Sequence, residues 1–332
     1  MTQDPDRRPR TAGPAPRSRA SASVSPASIR VIVPTLNAAD DLDRLLPALA
    51  AQTGLIRDQV LAIDSASTDG TPQRLRAWGA QVIDIARADF DHGATRAMAA
   101  AHCADADILI YMTQDAIPAD PHTLSNLLAA FEDPHVAMAY GRQLPRPQAG
   151  QIERHARLRN YPDRSDRRVL ADAPRLGLRT CFTSNSFAAY RHDALRAIGS
   201  FARPAFFAED QIAAARLLIA GHALAYRADA QVIHSHGYGL RAEAARYFDI
   251  GVFHARSPWL LDTFGGAEQA GGGFVTSEIA YLLRHAPLRL PEAALRTVLK
   301  YASYRLGRAE ARLPRPLKAW LSQQPAQWTR DP

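Results

Sequence analysis

The sequence predicts an α/β fold: a mixed, mainly parallel sheet flanked by helices, with a helical C-terminal extension. Two observations carry this. Short apolar runs alternate with amphipathic stretches of helical spacing from about residue 30 to residue 140, the pattern of βαβ units covered on both faces. Polar motifs stand at the ends of the first two runs, where an open parallel sheet has its ligand crevice. A chain of 332 residues, 47% of them hydrophobic, can bury the core such a fold needs.

Residues 1–28 are dominated by Pro, Ala, Ser and Arg without apolar periodicity, so a flexible tail is expected there. Strands are expected over residues 30–34, 59–64, 81–85, 107–112 and 136–141. Between the first two lies a helical stretch over 40–52, where Leu42, Leu45, Leu46 and Leu49 share one face, and residues 71–78 form the next. Residues 142–180 break the alternation with four prolines and ten arginines, and read as a long surface loop. Beyond it a strand is expected over 186–190, a helix over 208–220 closed by Gly221, and a strand over 223–226. The division expected is a tail over 1–28, an α/β domain over 29–240 and a helical region over 241–332. Gly265, Gly266 and Gly271 to Gly273 are read as a break before a basic tail.

Two cysteines, Cys103 and Cys181, are too few for a disulfide framework and form no CxxC metal pattern. No run approaches 18 uninterrupted apolar residues, and the N-terminal segment lacks the apolar stretch of a secretory signal. A cytoplasmic location, peripheral to the inner membrane face, is expected. The net charge of +7 suits phosphate-bearing ligands or anionic lipid. No nucleic-acid-binding module accompanies it.

The candidate site residues follow the chain. Pro34, Thr35 and Asn37 end the first strand in a Pro-Thr turn. Asp64 and Ser65 end the second, where a carboxylate can meet a base or ribose edge, while Asp69 caps the next helix. Asp91, His92, Gly93 and Arg96 lie at a helix start whose N–H groups, with the guanidinium, suit a diphosphate. Gln114 and Asp115 follow the fourth strand, and Asp115 can hold a divalent cation. Glu209 and Asp210 open a helix, where one acid can serve the helix dipole and one can act as a base. His234 and His236 alternate after an apolar run, so both can face one side.

In this order, Pro34-Thr-Leu-Asn37, Asp64-Ser-Ala-Ser-Thr-Asp-Gly70, Thr113-Gln-Asp115 and Glu209-Asp210 resemble the motifs of family 2 glycosyltransferases of GT-A fold. Thr113 stands where many relatives have the first Asp of the metal motif. Phe90-Asp-His-Gly93, Thr95-Arg96, His234-Ser-His-Gly-Tyr238, Arg246-Tyr-Phe-Asp249 and Lys300 to Gly307 are similar to bacterial rhamnosyltransferases of cell-surface polysaccharide assembly. The resemblance implies dTDP-L-rhamnose as donor and a lipid-linked or oligosaccharide acceptor. It also implies Asp210 as catalytic base, and Mn²⁺ or Mg²⁺ held by Asp115 and His234, with His236 as second choice. A UDP- or GDP-hexose transferase and a non-catalytic nucleotide-sugar binding protein are the alternatives. The arginines of 142–180 suit either a diphosphate acceptor or a solvated lid. The basic tail from Leu282, with Arg284, Arg289, Arg296, Lys300 and Lys318, suits an anionic membrane surface, a core-packed face or a homo-oligomer contact.

Overall fold

A computed structural model describes residues 29–202, 207–266 and 268–329; the expected tail over 1–28 lies outside the described residues. The strands are β1 (Ile29–Thr35), β2 (Val60–Asp64), β3 (Gln81–Asp84), β4 (Ile108–Met112), β5 (Ile117–Pro118), β6 (Val136–Leu144), β7 (Asp166–Arg168), β8 (Phe187–Arg191) and β9 (Ala223–Ile233). They form one sheet in the order β3-β2-β1-β4-β8-β6-β9-β5, with β7 also on β9. The first four strands are mutually parallel, as the alternation predicts. β8 then enters antiparallel between β4 and β6, so the sheet is mixed.

The sheet is buried on both faces, and the pleat sorts each strand between two apolar layers. Ile32, Leu61, Ile63, Leu109 and Tyr111 lie in one layer, and Val31, Val33, Val60, Ala62, Ile108 and Ile110 in the other. Helices α1 (Ala39–Ala50), α2 (Thr71–Trp78), α3 (His92–His102) and α4 (Thr123–Leu128) cover it. The four leucines of α1 are all buried, as their spacing requires.

Residues 142–180 are not a loop. β6 continues through Leu144, and α5 (Gln151–Asn160), β7 and α6 (Ala173–Leu176) follow. Arginine is a good helix former, so an Arg-rich stretch still makes a helix when one face, here with His155 buried, packs on a neighbour. Next come α7 (His192–Ala197) and α8 (Glu209–Ile219).

The C-terminal region is helical: α9 (Leu240–Arg256), α10 (Pro258–Phe264), α11 (Glu268–His285), α12 (Leu290–Arg308), α13 (Arg315–Leu321) and α14 (Ala326–Thr329). The expected break at Gly271 to Gly273 is absent, because α11 runs through these glycines; the chain turns at Gly265, whose φ is +92°. Phe253, Leu260 and Phe264 join the core layer above the sheet, so these helices share the core of the α/β portion.

α9 and α12 cross in backbone contact. A Cβ on Gly307 would lie 2.1 Å from the Phe248 carbonyl oxygen, and one on Gly251 would lie 2.2 Å from that of Tyr304. Gly307→Ala is therefore expected to force the helices apart and cost about 3 kcal/mol, the upper end of overpacking. A urea titration should register this as a lower midpoint.

Candidate active site

Four strand ends meet in one crevice, and side chains lace its loops together. The Asp64 carboxylate, 1% exposed, accepts from Thr35 Oγ1 at 3.0 Å, from Ser67 Oγ at 2.6 Å and from the Ser67 N–H at 2.9 Å. Ser67 Oγ in turn accepts the Asn37 N–H at 2.8 Å, and Asn37 Oδ1 accepts the Thr68 N–H at 2.9 Å. Asp69 takes the Thr71 N–H at the start of α2 and also the Ala39 N–H of α1. Asn37 and Ala66 both hold positive φ, 45° and 61°, which places backbone strain in the two loops that face the crevice. Pro34 is half-buried at the end of β1. Ser65 Oγ is buried without a hydrogen-bond partner.

Gln114 also works on this frame. Its Oε1 accepts the Leu36 N–H at 2.9 Å, and its Nε2 donates to Asp41 at 2.9 Å. It ties β1 to the segment that carries Asp115.

Asp91 is the N-cap of α3: its carboxylate accepts from the N–H groups of Gly93 and Ala94 at 3.0 and 2.7 Å. Those donors are consumed internally. Arg96, expected to meet a diphosphate, is instead buried at 4% exposure and pairs with Glu209 at 3.1 Å. It lies in α3 one turn after His92 and also donates to the His92 carbonyl oxygen. Burial first, and the neighbouring Arg96 charge second, push His92 down, so its imidazole is neutral.

Glu209 and Asp210 open α8, and Ala208 before them holds φ at 56°. Both acids are gripped by Asn185, which the sequence analysis missed. Its Nδ2 donates to Glu209 at 3.1 Å, its N–H donates to Asp210 Oδ2 at 3.0 Å, and its Oδ1 accepts from Tyr190 at 2.6 Å. Glu209 is thus the structural acid, fixed by Arg96 and Asn185. Burial, then the Glu209 charge, raises Asp210 to about 6. A helix start would by itself favour the ionised form, but burial and the Glu209 charge prevail, and the group ionises above that pH.

Asn185 also links the two halves of the site. The next residue, Ser186, accepts the Thr113 N–H at 3.2 Å, and Asp115 follows two residues on. Asp115, His234 and His236 present one ligand atom each within 4.8 Å of one another. Asp115 Oδ1 lies 3.4 Å from His234 Nε2, and Oδ2 lies 3.5 Å from His236 Nε2. Burial alone would raise the Asp115 carboxyl, but His234, Thr113 and His236 outweigh it and hold it far below the usual range. His236 is pushed down to about 4, by burial first and by His234 second, so it is neutral and keeps a lone pair.

The tautomer of His234 follows from its neighbours. Its Nδ1 lies 2.9 Å from Gln143 Oε1, an atom that Arg157 also reaches as a donor. An oxygen bonded by an arginine must be met by an N–H, so Nδ1 carries a proton, and Nε2, the nitrogen turned towards Asp115, is the one that a cation would take by displacing any proton there. A carboxylate and two imidazoles aimed at one point, the buried one oriented from behind, fit a divalent cation. Nothing in the sequence pointed to Gln143, which lies on β6 far from His234 in the chain.

Residues 30–199 match the family model described as "Glycosyl transferase family 2". The O-antigen chain rhamnosyltransferase RfbN of Salmonella typhimurium is 42% identical over 301 residues, 90% of this chain and 96% of that protein. WbaN of Salmonella anatum, of the same description, is 40% identical over 91% of this chain and 96% of that protein. Among solved structures, the mannosyltransferase PcManGT from Pyrobaculum calidifontis, in complex with GDP-Man and Mn²⁺, superposes with a TM-score of 0.55 at 21% identity, covering 90% of this chain and 86% of that one. TarS 1-349 of S. aureus, with UDP-GlcNAc, gives 0.51 at 15% identity, covering 91% and 88%. The architecture is thus that of the GT-A-like transferases.

Proposed function

The chain belongs to glycosyl transferase family 2, and on that premise we propose that it moves L-rhamnose, with inversion, from dTDP-L-rhamnose to a hydroxyl of a lipid-linked or oligosaccharide acceptor in cell-surface polysaccharide synthesis. One observation carries the sugar: 42% identity, over nine-tenths of the chain, to a curated O-antigen chain rhamnosyltransferase.

In the proposed mechanism Asp210 accepts the acceptor's hydroxyl proton as that oxygen bonds to the anomeric carbon and the bond from that carbon to the diphosphate oxygen breaks. A carboxylate raised to about 6 is well matched to such proton removal near neutral pH. Glu209, locked by Arg96 and Asn185, holds the turn that aims its neighbour. Asp64, Ser65 and the loop at Asn37 form the nucleoside side of the crevice. Asp115, His234 and His236 would hold the cation, and imidazole ligands favour Mn²⁺ over Mg²⁺. When bound, the ion neutralises charge on the departing diphosphate.

A donor panel tests the reading. Purified protein with Mn²⁺ is expected to transfer from dTDP-L-rhamnose and to stop on chelation. Transfer from a UDP- or GDP-hexose instead would keep the family and overturn the sugar.

For location, we propose contact with the anionic inner membrane face through α11 and α12. No helix among the described residues is long and apolar enough to cross a membrane. Leu283, Leu288 and Val298 are 58%, 94% and 64% exposed, and Arg284 and Arg289 stand beside them on the surface. Arg296 and Lys300, counted with the basic tail in the sequence, turn inward to Glu243, and Lys318 turns to Glu310. Leu288→Glu is expected to weaken sedimentation with anionic vesicles about tenfold, the order of one lost apolar anchor. A dimer in solution that ignores vesicles would assign this face to a homo-oligomer.

A further inference from the structure

The pairing of Arg96 with Glu209 leaves the diphosphate without the guanidinium that the motif suggested, and one other arginine is placed to take that role. Arg246 lies in α9, half-buried, with its guanidinium carbon 5.3 Å from the Phe207 ring centre and 5.9 Å from that of Tyr238. Phe207 stands two residues before Glu209, and Tyr238 two residues after His236. The arginine therefore bridges the segment that carries the base and the segment that carries the cation ligands.

Arg246 also lines a cavity of about 580 Å³ together with His236 and Tyr238. The other cations of that cavity are engaged. Arg289 pairs with Glu292, Arg296 and Lys300 pair with Glu243, and Arg157 donates to Gln143. Arg246 makes no ion pair among the described residues: the charge of Asp249, one turn on, reaches it without a pair, and its guanidinium rests on the two rings. Rings above a guanidinium fix its plane while leaving its N–H edge free, the geometry that suits bidentate recognition of phosphate oxygens.

We propose that Arg246, and not Arg96, is the guanidinium that binds the donor's diphosphate and takes up the charge that develops on it as the glycosidic bond breaks. The proposal rests on the nucleotide-sugar donor reading of the site. Helix α9 thereby supplies part of the donor site.

Calorimetric titration of the full chain with dTDP, UDP and GDP in the presence of Mn²⁺, and with the matching monophosphates, tests it without turnover. Arg246→Ala is expected to weaken the nucleoside diphosphate that wild type prefers by ten- to a hundredfold, the range for a lost charge-assisted contact, while the monophosphate changes much less. Arg246→Lys should fall between the two, and guards against an Ala variant that loses stacking and fold together. Equal diphosphate affinity in wild type and both variants would overturn the assignment of Arg246 and leave the donor reading standing. A wild type that binds none of the three nucleotides would overturn the donor reading and this assignment with it.

Discussion

Asp210→Asn is expected to lower turnover by about a thousandfold while leaving nucleoside diphosphate affinity unchanged, within the range measured when a general base is removed. The two readouts separate because Asp210 lies at the start of α8 bonded to the Asn185 and Gln211 N–H groups, whereas the proposed nucleotide side of the crevice lies at the ends of β1 and β2. An Asn variant with substantial turnover would remove Asp210 from the base role. The same carboxyl sets the pH profile. It is held at about 6 by burial and by the Glu209 charge, so it bears a proton below that pH, and activity should rise as pH climbs through about 6. Stability moves the other way. A folded-state pKa above the unfolded value near 3.8 means the group's stabilising contribution is complete below that value and is lost as pH rises through about 6. The melting temperature of wild type should thus fall between pH 5 and pH 7 by more than that of Asp210→Asn, which carries no titrating group there.

Legibility in the sequence followed the range of the interactions. The helical face of Leu42 to Leu49 and the parallel strands β1 to β4 could be read because each rests on local periodicity. So could the placing of Glu209 and Asp210 at the start of a helix, since a helix start is a local signal. What was hidden depends on partners far apart in the chain. Asn185 lies in an unremarkable Ser-Asn-Ser stretch and gains its role only because β8 pairs with β4 and brings it under α8. Arg96 was assigned to a ligand because its sequence neighbours form a helix start; its buried partner, Glu209, comes from a different element. α11 shows the same limit, since Gly271 to Gly273 read as a break by propensity, and tertiary packing overrides a cost of about 1 kcal/mol per glycine.

Asp115→Ala should reduce Mn²⁺ affinity at least a hundredfold, because it removes the one carboxylate from a cluster whose other donors are imidazoles. Titration of the nucleoside diphosphate complex with Mn²⁺, followed by electron paramagnetic resonance, measures this directly. The two histidines should then rank. His234 is 5% exposed and has its Nδ1 proton fixed by Gln143, so its Nε2 is aligned before any ion arrives. The His236 side chain is 38% exposed, and among the described residues only Asp115 faces its ring nitrogens. His234→Ala is accordingly expected to cost more affinity than His236→Ala. Gln143→Leu supplies the sharper test, since Gln143 touches no ligand atom of the cluster and its effect must pass through the imidazole it orients. Loss of that acceptor leaves the His234 N–H buried without a partner and frees the ring to take the other tautomer, which turns a proton towards Asp115 in place of a lone pair. Losses from removing such a partner run from ten- to a hundredfold in metal affinity. An unchanged Mn²⁺ affinity in Gln143→Leu would mean that His234 is held for structure and that Asp115 and His236 carry the ion by themselves.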